Sequence, residues 1–195
     1  MLIPSAARSA RRAHARAGGY SLVELMVAAP IMALAFGLFL GATSAAQEMR
    51  QVQRENSAVA EEARIVLERM RNESWSEIYA LYNAVPGDDP GGAGTAPGNT
   101  FSIAGLAPPG GALGQPVGEV IMPAFHHASL GWQLREDRPD ELLGLPRDLS
   151  GDEDIDTYDH SGDYTVLPIV VRISWQGAYG PRELVVHTVM TEYRR

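Results

Sequence analysis

Glu24 is a carboxylate set inside an apolar run. Leu22 and Val23 precede it, and Leu25 to Ala42 (LMVAAPIMALAFGLFLGA) follow without a charged residue. A lone carboxylate on an apolar helix is expensive unless it is paired or protonated, so Glu24 is a functional candidate that calls for a cationic partner. Its place near the start of the run adds a small favourable bias from the helix dipole. A second concentration of oxygen donors lies at Asp148, Ser150, Asp152, Asp154, Asp156 and Asp159. Carboxylates crowded into one short segment repel each other unless a cation sits among them. Other groups offer less. His126 and His127 are adjacent and point apart, with no third ligand at metal spacing. Ser161-Gly162-Asp163 forms no nucleophile elbow, and the chain has no cysteine for a thiolate site or a disulfide. The expectation is a protein that is not an enzyme.

These residues need elements to position them. The eighteen uncharged residues from Leu25 to Ala42 meet the length of a membrane-spanning helix. Pro30 removes one backbone hydrogen bond within it, which membrane helices tolerate when neighbours satisfy the freed carbonyl. Beyond Ala42 the composition turns polar, yet Ala45, Met49, Val52, Val59, Ala63, Val66 and Met70 recur at helical spacing. Arg64 with Glu68 and Arg69 with Glu73 stand four apart, as pairs on an exposed helix do. One helix is therefore predicted from Ser21 to about Tyr82, stopped by Val85-Pro86-Gly87. Residues 86–117 are dense in Gly and Pro and read as loop, with one short strand around Phe101–Leu106. Strands are predicted over Val117–Phe125, Trp132–Arg135, Tyr164–Trp175 and Glu183–Tyr193, the last two as a hairpin across QGAYGPR. Pro168 predicts that its strand lies at an edge or a bulge. The fold class is α+β: a long N-terminal helix, membrane-spanning in its first half and amphipathic in its second, packed on a small C-terminal antiparallel sheet. Its parts are a basic leader over 1–19, a transmembrane helix over 20–42, an amphipathic continuation over 43–85 and a β-rich domain over 86–195.

The segment Asp148 to Asp159 resembles the twelve-residue calcium loop of EF-hand and dockerin type. Oxygen donors fall at positions 1, 3, 5, 9 and 12, from Asp148, Ser150, Asp152, Asp156 and Asp159. Ile155 takes the aliphatic position 8, and Asp154 at position 7 would give its backbone carbonyl. Glu153 stands at position 6, where the sharp turn favours glycine, and Asp159 is shorter than the bidentate glutamate of position 12. The resemblance names Ca2+ as the cofactor, held weakly.

The junction Gly18-Gly19-Tyr20-Ser21-Leu22-Val23-Glu24-Leu25-Met26-Val27-Ala28 resembles the prepilin signature of type IV pilins and type II secretion pseudopilins. There a basic leader ends in glycine, cleavage follows it, and the fifth mature residue is a glutamate within an apolar helix. The resemblance implies cleavage after Gly19 by a prepilin peptidase and N-methylation of Tyr20. It implies further that Glu24 pairs with the N-terminal ammonium of a neighbouring subunit, setting the axial register of a filament. The implied partners are the peptidase, other pilin or pseudopilin subunits and membrane lipid. The implied location is the bacterial inner membrane, single-pass, with the C-terminal domain on the periplasmic side. The proline that many pilins carry near the twenty-second mature residue is replaced by Gly41, which with Gly37 forms G-x-x-x-G, a spacing that permits close helix packing. The missing cysteines exclude the disulfide-closed loop of many major pilins and favour a minor pilin or a pseudopilin.

Charge agrees with a removable head. All sixteen basic residues are arginines, and Arg8, Arg11, Arg12 and Arg16 precede Gly19. A chain beginning at Tyr20 would carry 12 arginines against 24 acids. That excess argues against nucleic acid as a partner, because phosphate binding depends on clustered cations. The alternative is an ordinary signal peptide or anchor, cut near Ala42-Thr43-Ser44-Ala45-Ala46 or retained, carrying a secreted or membrane-tethered calcium-binding or adhesive domain.

Overall fold

The computed structural model describes residues 21–192. The expected leader, with Gly19, and Tyr20 lie outside the described residues, as does Tyr193 at the end of the last expected strand. The chain divides into two compact units, one ending at Gln47 and the other beginning at Glu48.

Helix α1 (Leu22–Asn72, 51 residues) begins in the first unit and ends in the second. Its start is fixed by Ser21, whose Oγ accepts the Glu24 backbone N–H at 3.2 Å, one half of an S-x-x-E capping box. The helix continues through Pro30. In the first unit its apolar side chains are exposed, among them Leu22 at 75% and Phe36 at 66%. This helix is long and apolar enough to cross a membrane as a single anchor, and none of its most apolar stretch is buried within the protein.

In the second unit α1 presents Val59, Ala63, Val66 and Met70 as one buried stripe at steps of four, three and four. The stripe packs on a four-stranded antiparallel sheet of order β1-β2-β5-β6, where β1 is Thr100–Phe101, β2 Gly118–Ile121, β5 Val166–Gly177 and β6 Gly180–Thr191. The two remaining strands, β3 (Phe125–His127) and β4 (Gly131–Gln133), pair in a small separate sheet. Along β5 the alternate residues Leu167, Ile169, Val171, Ile173 and Trp175 are all buried. Val171 and Ile173 pair across the sheet with Val186 and Leu184, which line one pocket with Ala63 and Leu67. These residues therefore share the face covered by α1. The opposite face, with Pro168 and Val170, is lined by the segment carrying Leu142 and Leu143. Burial on both faces explains why β5 reads as a nearly continuous apolar run.

The α+β architecture agrees with the sequence expectation, and its boundaries are tighter. The hairpin forms as predicted, closed at Gly177 and Gly180, where Gly180 has φ of 119°, a conformation suited to glycine. Its tip is tied to α1: the Tyr179 hydroxyl donates to the Glu48 carboxylate, and Arg182 donates to Asn56 Oδ1 at 3.3 Å. The strand expected over Phe101–Leu106 is only Thr100–Phe101, and the one expected over Val117–Phe125 stops at Ile121, two residues before Pro123. Pro168 corrects the edge-strand expectation. Its strand lies between β2 and β6, but the ladder with β2 ends at Val170, so Pro168 sits where no partner on that side needs its missing N–H. On the helix surface Glu68 pairs with Arg71 at 3.0 Å.

The helix expected to reach Tyr82 ends instead at Asn72. A 3-10 turn (Trp75–Glu77) and a short helix α2 (Ile78–Tyr82) follow, because tertiary contacts outcompete continuation. Ser74 is extended, and Trp75 turns inward to donate its indole N–H to the Tyr164 carbonyl at 2.8 Å. The Tyr164 hydroxyl answers by donating to the Trp75 carbonyl and accepting the Tyr79 N–H at 3.2 Å, while the two rings lie 5.1 Å apart. One tyrosine thus satisfies backbone groups released by the break. Replacing Tyr164 by Phe is expected to lower unfolding free energy by about 1–3 kcal/mol, the cost of leaving buried polar groups unmet. Urea denaturation of the full chain checks this, and an unchanged midpoint would assign the break to another cause.

Candidate functional site

Two places concentrate chemistry, one in each unit. In the first, Glu24 occupies the first turn of α1, where unpaired N–H groups favour a negative charge. Among the described residues no cation pairs with it. A Cβ built at Gly37 or Gly41 meets nothing within 4 Å. The chain's own fold therefore sets no requirement for glycine at either position.

The second place is the acidic segment after β4. The six sequence-predicted donors do not converge on one point, because most of their carboxylates serve the loop's own backbone. Asp148 accepts the N–H groups of Gly151 at 2.6 Å and Glu153 at 2.9 Å, and these bonds hold its carboxyl below the usual range. Ser150 Oγ approaches Asp148 at 3.3 Å. Asp152 accepts from the Asp154 N–H, and Asp154 from the Ile155 N–H. Asp159 reaches out of the loop to the N–H groups of Leu134 and Ser161. Glu153 has φ of 73°, so the position where the calcium-loop resemblance favours glycine does take the left-handed conformation.

What organises the segment is Glu136, which is fully buried. Its Oε2 accepts the Leu149 N–H at 2.8 Å and its Oε1 the Asp156 N–H at 2.8 Å, so one carboxylate grips the loop at two points seven residues apart in sequence. Main-chain bonds continue the zipper: Arg147 N–H to the Glu136 carbonyl at 3.2 Å, and His160 N–H to the Leu134 carbonyl at 2.9 Å. The neighbouring arginine does not neutralise this charge, because Arg135 forms a two-nitrogen contact with Asp137 and holds that carboxyl below its usual range. The charge on Glu136 is met instead by His160, whose Nε2 lies 3.4 Å from Oε1.

His160 is also buried and faces carboxylates through both ring nitrogens. Nε2 is 3.2 Å from Asp156 Oδ1, and Nδ1 is 3.1 Å from Asp163 Oδ1. Burial alone would lower its pKa, but hydrogen bonds to Asp163 and Asp156 and the charge on Glu136 outweigh it and raise the value. Glu136, Asp156 and His160 bring three ligand atoms within 4.8 Å of one another. Of the predicted donors only Asp156 belongs to this group. Glu136 and His160 escaped the sequence reading because Glu136 sits in the charged run REDRPD, which looks like solvated surface, and a single histidine in an acidic stretch has no ligand spacing. The pair Asp156 and His160, four apart, was the one available signal.

The adjacent histidines act separately, as their spacing implies: His126 stacks edge-on against Trp132 at 5.1 Å, and His127 Nδ1 faces Ser129. Comparison of the chain with family models, with characterised proteins and with solved structures returns no match.

Removing the buried carboxylate strands two backbone donors and one histidine. Glu136→Ala is therefore expected to destabilise the protein by about 3–5 kcal/mol and to open residues 148–160 to proteolysis. Limited proteolysis with mass mapping, read beside the thermal midpoint, checks this; a loop that stays protected would show that Glu136 does not hold it.

Proposed function

We propose that this protein is a structural subunit, a minor pilin or pseudopilin, of a type IV pilus-like or type II secretion filament. The observation that carries the reading is the exposed apolar helix of the first unit, with its one carboxylate in the first turn. An apolar surface of this length has to be covered by lipid or by other such helices, and a carboxylate in that setting needs a cation. Cleavage after Gly19 by a prepilin peptidase would create that cation at Tyr20, so processing and assembly become one coupled step. The arginines before Gly19 favour a cytoplasmic start, which puts the C-terminal part on the extracytoplasmic side of the inner membrane. Gly37 and Gly41, unconstrained by the chain's own fold, leave a small-residue face for a neighbouring helix. The role is one of assembly and not of catalysis, and its partners are other subunits and membrane lipid.

Two readouts test the proposal together. Mass spectrometry of the mature chain is expected to begin at Tyr20, and Glu24→Ala is expected to reduce filament incorporation about tenfold or more while membrane insertion persists. A mature chain beginning near Gln47, or filaments at full level without Glu24, would sink it.

A second reading, a membrane-tethered calcium-binding or adhesive module, has one observation in its favour. Glu153 holds the left-handed turn, and Asp148 gathers the N–H groups of Gly151 and Glu153, so the start of the segment has the tight turn that a calcium loop needs. This reading expects function to survive Glu24→Ala and expects heat on titrating the chain with millimolar Ca2+. A flat titration would remove it.

A further inference from the structure

We infer that Glu136, Asp156 and His160 form a binding site for a divalent transition metal of the Zn2+ class, which shares Asp156 with the acidic loop and is independent of the filament reading. Around a tetrahedral ion at about 2.0–2.1 Å from its N and O ligands, neighbouring ligand atoms stand roughly 3.3–3.4 Å apart. His160 Nε2 lies 3.4 Å from Glu136 Oε1 and 3.2 Å from Asp156 Oδ1. Both spacings match edges of such a tetrahedron, and all three ligand atoms lie within 4.8 Å of one another.

The lone pairs are also available. His160 Nδ1 faces Asp163 Oδ1 at 3.1 Å, so a proton on Nδ1 is held by that carboxylate and leaves the Nε2 lone pair for a metal. A histidine that ligates through one nitrogen while giving its other N–H to a carboxylate is the usual second-sphere arrangement at zinc. Glu136 Oε1 uses one lone pair for the Asp156 N–H, and Asp156 Oδ1 one for the Tyr158 N–H, which leaves a second on each oxygen.

Burial and charge point the same way. The His160 and Glu136 side chains are 4% and 1% exposed, while Asp156 is 26% exposed, so an ion would enter past Asp156 and keep one position for water. Three carboxyl groups, from Glu136, Asp156 and Asp163, surround this one histidine, and a divalent cation placed among them offsets their negative charge. One nitrogen and two carboxylate oxygens suit Zn2+, whereas Ca2+ asks for six to eight oxygens. The ion would cross-link residues 134–136 to residues 156–163, and because it binds only the folded chain it would stabilise the fold by mass action.

The test uses the full chain in detergent, stripped with chelator and titrated with Co2+. Tetrahedral Co2+ has intense visible bands that Zn2+ erases and Ca2+ does not. One equivalent is expected to develop those bands, and excess Ca2+ is expected to leave them unchanged. His160→Gln is expected to abolish them, and Asp163→Asn to weaken binding about 10- to 100-fold with an unchanged circular dichroism spectrum. No tetrahedral spectrum with the wild-type chain, or the same spectrum in His160→Gln, overturns the proposal. Should His160→Gln fail to fold, Asp163→Asn decides: wild-type affinity there overturns the assignment of His160 Nε2 as a ligand.

Discussion

A carboxylate removed from water has to be met by donors or by positive charge, and the structure is organised around how its acids meet that demand. Glu136 is the fullest case. Its two oxygens accept the N–H groups of Leu149 and Asp156, and His160 stands at 3.4 Å from one of them. Without those bonds a buried ion would be intolerable; with them, a loop that has no helix or strand of its own gains a fixed path. The segment it fixes then delivers Leu149 to the core and Tyr164 to the break after α1. One buried charge thereby couples the irregular segment between β4 and β5 to the helix and sheet of the second unit.

The same demand gives Glu24 its meaning, by contrast. Glu136 is met inside its own fold, whereas among the described residues Glu24 has only the capping contact of its backbone N–H with Ser21. A carboxylate without a charge partner on an exposed apolar helix is an incomplete structure, and the proposed filament role would complete it with a second chain. Helix α1 therefore carries two kinds of instruction along one element. Its first unit is apolar on every side and its second has a single buried stripe of Val59, Ala63, Val66 and Met70. The change from one pattern to the other is a change in what covers the helix.

Tyr164 shows how local propensity yields to tertiary contacts. No glycine or proline interrupts residues 73–82, so the sequence offers no stop before Val85-Pro86-Gly87 and predicts that α1 runs on to Tyr82. The chain breaks because Trp75 finds a carbonyl acceptor and a ring partner at Tyr164, eighty-nine positions away, and because the Tyr164 hydroxyl pays back two of the freed backbone groups. Such a contact leaves no periodic trace in the sequence around residue 72.

The sequence by itself determined the α+β class, the helix and its apolar first half, the terminal hairpin and the candidacy of Glu24, because each rests on composition or on a period carried by neighbouring residues. It also marked residues 148–159 as a place where oxygen donors crowd. Only the tertiary structure decided where those donors point. Asp148, Asp152 and Asp154 bind their own loop, Asp159 binds Leu134, and Asp156 alone joins Glu136 and His160. Pro168 belongs to the same lesson: the missing N–H forbids a ladder bond, but only the register shows that β2 ends before it. The physical reason is common to all of these. Periodicity reports what one segment needs buried, while the partner of a buried charge or a backbone donor is chosen by residues far away in the chain, and nothing in the local spacing encodes that choice.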